Sequence, residues 1–329
     1  MVPKRYNKNL HVAKRNKNDE FYTQLTDIER ELRHYKPHFN GKTVFCNCDD
    51  PRVSNFFHYF SYNFEHLGLK KLITTCYKNQ KIDLFSMHDQ ENAIYLEYNG
   101  DKNNNKIPDI EEIGINHLKG DGDFRSEECI ELLKQADIVV TNPPFSLFRE
   151  YIAQLIEYEK KFLIIGNLNA ITYKEVFPLI RDNKMWLGPS IYSGGREFEV
   201  PEHFVDIKKF TGEIRNGRYY QEVMGVRWYT NLPHKKRNEK LILIQKYEGN
   251  EKEYPKYDNY DAIEVSKVKN IPKDYNGVMG VPISFLDKYN PEQFEILGQM
   301  ANTKVDEFNF GYPFINKKRR YARILIRKK

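Results

Sequence analysis

Asn142-Pro143-Pro144-Phe145 is the segment of this chain whose residue types perform one chemical task together. The Asn142 side-chain carbonyl and the Pro143 main-chain carbonyl, its direction fixed by the proline that follows, can both accept hydrogen bonds from one planar amino group. Phe145 offers a ring to stack on the base carrying that group. Two acceptors draw the nitrogen lone pair out of conjugation and hold it for attack. A methyl donor on the opposite side completes an in-line transfer whose barrier falls through positioning and electrostatics rather than a strong base. The same residues could form a proline-rich turn with a capping Asn. What argues against that is the preceding run 137–141 (DIVVT), which reads as a buried strand. Ligands of an open parallel sheet bind outside the carboxyl ends of its strands.

Such a tetrapeptide needs a sheet to present it, and the sequence supplies short apolar runs alternating with helical spacing. Residues 42–48 (KTVFCNC) read as a strand, 52–67 as a helix with Phe56, Phe57, Phe60 and Phe64 on its inner face, and 71–77 (KLITTCY) as a second strand. A polar stretch follows, with a possible hairpin at Asn99-Gly100 and a surface loop at Asn103-Asn104-Asn105, and looks like an insertion. Ser126 is the expected N-cap of a helix whose first turn carries Glu127 and Glu128. A helix over 147–159, a strand over 162–166 and a helix over 173–181 complete a mostly parallel, doubly wound α/β sheet. Beyond Trp186 the pattern turns to strands, over 223–229, 241–247, 262–268 and 278–285.

The 329 residues suit one large domain with an elaboration, or two domains. With 23 Tyr, 21 Phe and 40% hydrophobic residues, wholesale disorder is excluded. No apolar run is long enough to span a bilayer and no signal peptide opens the chain, so a soluble, cytoplasmic protein is expected. Cys46, Cys48, Cys76 and Cys129 lack the paired spacing of a structural zinc site, and no metal is expected. The net charge of +6 comes from the two ends. Six bases and no acid precede Asp19; the run from Lys317 to Lys329 holds eight bases and no acid; without those fourteen the chain has 38 bases against 46 acids. Basic tails suit a polyanionic partner or simple solubility.

The segments Asp19-Glu20-Phe21-Tyr22-Thr23, 46–57 (CNCDDPRVSNFF), Gly122-Asp123-Phe124 and Asn142-Pro143-Pro144-Phe145, in that order, resemble the EcoRI-type adenine-specific DNA methyltransferases, which use S-adenosylmethionine. The resemblance implies a Rossmann-like fold and an adenine-N6 transfer to a base flipped out of double-stranded DNA. It implies that Phe21, Tyr22 and Thr23 lie against the methionine end of the donor and that Asp49 and Asp50, followed by Pro51, face its ammonium group. Asp123 would accept from the donor's adenine amine, with Phe124 against the ring. A basic arm over 1–18, a catalytic domain over 19–232 and a target-recognition region over 233–329 are expected. So are a monomer, a separately encoded restriction endonuclease and, if specificity follows the resemblance, the site GAATTC.

Two departures stand against the family pattern. Residues 50–57 contain no glycine, and where an acid ordinarily closes the second strand to bind ribose this chain has Thr74, Thr75 and Tyr77, leaving the ribose ligand unassigned. A protein glutamine or RNA amino-group methyltransferase shares the N-P-P chemistry; against the protein glutamine reading, the region of about a hundred residues after Leu232, with its clustered bases, is better explained by a nucleic-acid recognition domain. A nuclease built on Pro108-Asp109 and Glu159-Lys160-Lys161 is a loose pattern match, and a DNA-binding protein without catalysis is the third alternative.

Overall fold

Several short strands of this chain are too uniformly apolar to have a wet face, and their burial sets the architecture. The computed structural model describes residues 21–48, 54–75, 93–109, 111–191, 194–200, 210–302 and 306–329. The chain divides into two compact units, one reaching to Leu168 and resuming over Ser190–Leu232, the other formed by Asn169–Pro189 and Pro233–Lys329.

In the first unit the strands are β1 (Tyr22–Thr23), β2 (Thr43–Asn47), β3 (Lys71–Thr75), β4 (Ile94–Tyr98), β5 (Ile113–His117), β6 (Ile138–Thr141) and β7 (Lys161–Asn167), followed by Arg196–Val200, Glu213–Arg215, Arg218–Val223 and Val226–Thr230. A large sheet runs β5-β4-β3-β2-β6-β7 and then Val226–Thr230. Its four central strands are parallel, while β4, β5 and Val226–Thr230 are antiparallel to their neighbours. The expected parallel sheet is therefore parallel at its centre and mixed at both flanks. From β2 the chain winds outward to β3, and from β6 outward to β7. The neighbours β2 and β6 thus mark the reversal of winding, the position beyond whose carboxyl ends open α/β sheets bind their ligands.

Helices cover this sheet because their sequences carry both a cap and an apolar face. Ser54 caps Asn55–Tyr62, its hydroxyl accepting from the amides of Phe56 and Phe57, and Phe56, Phe57, Tyr59 and Phe60 are buried. Asn63 parts this helix from the short turn Phe64–Leu67, so the single helix expected over 52–67 is two. Ser126 caps Glu127–Gln135 as expected. Phe148–Glu157 buries Phe148, Tyr151, Ile152 and Leu155, the spacing of one helical face. The expected strand over 223–229 is broken at Met224-Gly225, where Gly225 takes φ 68°. Val223 pairs with Arg196 in a small sheet, whereas Val226 pairs with Asn167 in the large one. That small sheet runs β1, Arg196–Val200, Arg218–Val223, Glu213–Arg215.

In the second unit Ile263–Glu264, Met279–Pro282, Arg323–Lys328 and Phe294–Met300 form a sheet in that order. Leu241–Tyr247, expected as a strand, is not one. Its Leu241 main chain is held by the Gln293 side chain in both directions, at 2.7 and 2.8 Å, and Ile242 is 85% exposed. The basic C-terminal run is not a free tail either. Arg323 is buried and bonds to Glu264, while Arg327 pairs with Glu295 at 2.8 Å. Lys317, Lys318, Arg319 and Arg320 remain exposed on a tight hairpin formed by Phe314–Ile315 and Lys318–Arg319. The N-terminal basic run lies outside the described residues.

Candidate active site

The carboxyl ends of β2 and β6 are tied together by polar side chains in an otherwise apolar layer. Thr141 donates its hydroxyl to the Asn47 main-chain oxygen, and Tyr151, from the helix after the tetrapeptide, donates to the Asn47 side-chain oxygen. Burial, with Cys48 nearby, holds the Tyr151 phenol well above its ordinary pKa, so it remains a donor. Beyond Asn47 the chain turns away at Cys48, whose φ is 84°. Asp49, Asp50 and Pro51 lie outside the described residues.

Asn142 is the first residue past β6, and it is buried. Its Nδ2 donates to the main-chain oxygen of Phe21 at 2.6 Å, which fixes the orientation of the amide. Its Oδ1 is buried with no hydrogen-bond partner among the described residues. Such an acceptor is unfavourable unless a ligand supplies the missing donor. Pro143 is buried; Pro144 (φ −54°, ψ 124°) turns the chain into a short 3₁₀ segment, Phe145–Leu147, that opens the following helix. The Phe145 ring is half-buried and stacks on Phe21, with centroids 5.9 Å apart and planes at 27°.

Phe21 is thereby in contact with the tetrapeptide through both its ring and its carbonyl. It is flanked by Phe198, edge-on at 5.5 Å. Tyr22 and Thr23 form β1 and pair with Glu199 and Phe198. The Thr23 carbonyl accepts from Asn55 Nδ2 at 2.7 Å, and its hydroxyl, like Asn142 Oδ1, is buried without a partner among the described residues. A buried polar group braces this wall from behind. Glu31 accepts from Tyr35 at 3.0 Å and from the Ser190 amide at 3.0 Å, and Arg196 donates to the Ser190 carbonyl at 2.9 Å. Burial raises the Glu31 carboxyl above its ordinary pKa despite those bonds.

Asp123 and Phe124 sit on the segment after β5. Phe124 is buried, its ring edge-on to Tyr151 at 5.0 Å and its carbonyl bonded by Gln154 at 3.0 Å. Asp123 accepts from the Arg125 amide and guanidinium at 2.6–2.9 Å, and Arg125 also reaches Glu150 at 2.8 Å. Burial opposes ionisation of Asp123, but the Arg125 hydrogen bonds outweigh it and hold the carboxyl below its usual range. Of the ribose candidates, Thr75 donates to the Ile94 carbonyl, Thr74 Oγ1 is buried without a partner among the described residues, and Tyr77 lies outside them.

The structure thus brings Phe21 to Asn142 and Phe145, with Thr23 two residues along the same segment, and links Phe124 to the same framework through Tyr151 and Asn47. Asn47, Tyr151, Arg125 and Phe198 were missed by sequence reasoning. The one usable signal was Asn47 itself, a polar residue closing an apolar strand. The nuclease pattern is not assembled. Asp109 lies in the β4–β5 connection and Glu159 just before β7, with β3, β2 and β6 between those strands, a lateral separation on the order of 19 Å from strand spacing.

A family described as adenine-specific methyltransferase EcoRI matches residues 9–329. Type II methyltransferase M.EcoRI of Escherichia coli is 55% identical over 326 residues, 98% of this chain and 97% of that protein. Type II methyltransferases M.MgeORF184P of Mycoplasma genitalium and M.MpnI of Mycoplasma pneumoniae are 41% and 38% identical, each over 96% of this chain and 97% of theirs. No solved structure matches.

Proposed function

Because this chain belongs to the family of EcoRI adenine-specific methyltransferases, we propose that it transfers a methyl group from S-adenosylmethionine to N6 of one adenine in double-stranded DNA, the site being GAATTC. It is a DNA adenine methyltransferase of the restriction-modification type. The observation that carries the chemistry is the divided state of the Asn142 amide, with Nδ2 spent on Phe21 and a buried Oδ1 left to accept.

In this reading Asn142 Oδ1 and the Pro143 carbonyl take the two hydrogens of the adenine amine, and Phe145 stacks on the extrahelical base. The donor, when bound, supplies an electrophilic methyl on its sulfonium. Phe21, Tyr22 and Thr23 wall its methionine end, with the orphaned Thr23 hydroxyl available to its polar atoms. Phe124 lies against its adenine, and the outer lone pair of Asp123 accepts from the adenine amine. Asp49 and Asp50, followed by Pro51, are assigned to the donor's ammonium group by the family resemblance alone, since they lie outside the described residues. Residues 19–232 act as a Rossmann-like catalytic domain and residues 233–329 read the target. The enzyme works as a monomer, with a separately encoded endonuclease as its restriction partner.

Sequencing DNA from cells expressing the chain, with modified-base detection, tests this. N6-methyladenine within GAATTC is the expected result. Methylation of another sequence would reject the specificity alone, and no N6-methyladenine would reject the function.

A further inference from the structure

The β4–β5 hairpin is closed by residues 99–112, a connection whose chemistry the methyl transfer does not use. Its oxygen-bearing residues recur with a fixed spacing. Asp101, Asn103, Asn105, Asp109 and Glu112 occupy positions 1, 3, 5, 9 and 12 of a twelve-residue stretch, and Ile107 stands at position 7, where a side chain is not required because the main-chain carbonyl serves. Calcium loops of this spacing place glycine at position 6 for a sharp turn. Here that position is Lys106, and its backbone adopts the left-handed conformation nonetheless, with φ 64°.

The loop is already folded around its own interior. The Lys106 amide donates to Asp101 Oδ2 at 2.8 Å, that of Asn105 to Asn103 Oδ1 at 2.9 Å, and that of Ile107 to Asn105 Oδ1 at 2.7 Å. Glu112 reaches back across the loop, its Oε1 accepting from the amides of Lys102 and Asn103 at 2.6 and 3.1 Å. Glu112 is 6% exposed, and its other oxygen is buried with no hydrogen-bond partner among the described residues. Asp101 Oδ1 is likewise buried and unpartnered. Two orphaned carboxylate oxygens in one small loop are strongly unfavourable in the absence of a cation. Asp109 Oδ2 accepts from the Asn103 and Asn105 amide nitrogens at 2.6 and 3.2 Å.

We propose that residues 101–112 form a calcium site, with Asp101, Asn103, Asn105, the Ile107 carbonyl, Asp109 and Glu112 as its oxygen donors. Among the described residues no group of three or more His, Cys, Asp and Glu side chains is gathered as a metal centre. Asp101, Asp109 and Glu112 are not gathered in that way either, Asp109 being turned to the two Asn side-chain nitrogens, so the loop must rearrange to take the ion; the other half of the donor set is neutral amide and main-chain oxygen. On metal entry the two Asn amides turn their oxygens inward and release Asp109 Oδ2, and Glu112 Oε2 and Asp101 Oδ1 gain the ligand they lack. A flexible shell of mixed oxygens suits Ca²⁺, whereas Mg²⁺ demands strict octahedral geometry and keeps its waters. The loop leaves β4 opposite the start of β3 (Tyr98 pairs with Leu72), so it lies at the end of the sheet away from Asn142. The ion is therefore a clamp on the hairpin and takes no part in the methyl transfer.

The test is calorimetric titration of the full chain, stripped with chelator, using CaCl₂ and separately MgCl₂, together with Tb³⁺ luminescence sensitised through Tyr98. One equivalent of Ca²⁺ is expected, with a Kd between about 10⁻⁷ and 10⁻³ M and a raised unfolding temperature. Affinity should fall at least roughly tenfold in Glu112→Gln and in Asn105→Ala. The second variant, at an exposed position, keeps the test open if the first does not fold. Absence of saturable Ca²⁺ binding, equal binding of Mg²⁺, or undiminished affinity in folded variants would each overturn the site.

Discussion

The Asn142 side-chain nitrogen and the Phe21 carbonyl oxygen are 2.6 Å apart, so the segment proposed to hold the methyl donor also sets the direction of the proposed catalytic amide. An asparagine amide can present either end to a ligand. This bond selects the oxygen.

Asn142→Ala should lower single-turnover methylation by a factor on the order of 10²–10³, the scale of losing one preorganised polar contact to the reacting group. Donor affinity should change little, because Tyr22, Thr23 and Phe124 are untouched. Asn142→Asp should fare badly as well, since a carboxylate cannot donate to the Phe21 carbonyl. Rapid-quench methylation beside equilibrium donor binding checks both, and near wild-type turnover of the alanine variant at saturating DNA would remove Asn142 from the chemistry.

Phe145 stacks on Phe21 with one face, and the proposed function assigns the other to the flipped base. Phe145→Ala should cost the extrahelical state about 1–3 kcal/mol, with Phe145→Tyr and Phe145→Trp milder. Fluorescence of 2-aminopurine at the target position reads this directly; an undiminished signal in the alanine variant would count against stacking.

Glu31 gives a pH signature to the wall behind Phe21. Its folded pKa is raised above the ordinary 4.5, chiefly by burial. The native state thus holds a proton that the unfolded chain releases. The contribution is fully present below 4.5 and is lost as pH rises through the folded value. In urea unfolding series across this range, Glu31→Gln should flatten the decline in stability with rising pH. Equal slopes in both proteins would show that Glu31 does not control it.

Lys317, Lys318 and Arg320 are exposed on the C-terminal hairpin, and Arg319 lies over the Tyr312 ring at 4.0 Å. If this hairpin contacts phosphates, neutralising Lys317, Lys318 and Arg320 should weaken specific and unrelated DNA alike and reduce the salt slope by roughly one unit per lost contact. Binding isotherms at several salt concentrations decide it, and an unchanged slope would leave the hairpin without a DNA role.

The centre of the first unit was legible because β2, β6 and β7 are buried on both faces and leave their signature in unbroken apolar runs ending at polar residues. Pairing partners were not legible. The run 241–247 has the composition of a strand, yet Gln293 takes its backbone bonds, and hydrophobicity does not say who will pair. The pairing of Tyr22–Thr23 with Arg196–Val200 joins residues far apart in sequence, and neither run announces the other. Charge counting failed at Arg323 and Arg327 for a related reason, their acidic partners Glu264 and Glu295 being remote in sequence.

The small sheet that carries Tyr22 and Thr23 has a consequence for the order in which the molecule assembles. Its pairing of Tyr22 with Glu199 closes a loop of about 180 residues, an entropic requirement that grows only logarithmically but must be met before the contact gives anything back. The wall against Asn142 should therefore form late, after the local strand-helix-strand units have condensed. Substitutions at Phe198 or Arg196 would then act mainly by speeding unfolding, leaving the refolding rate nearly unchanged. The amide that awaits the adenine is oriented by one of the last contacts the chain makes.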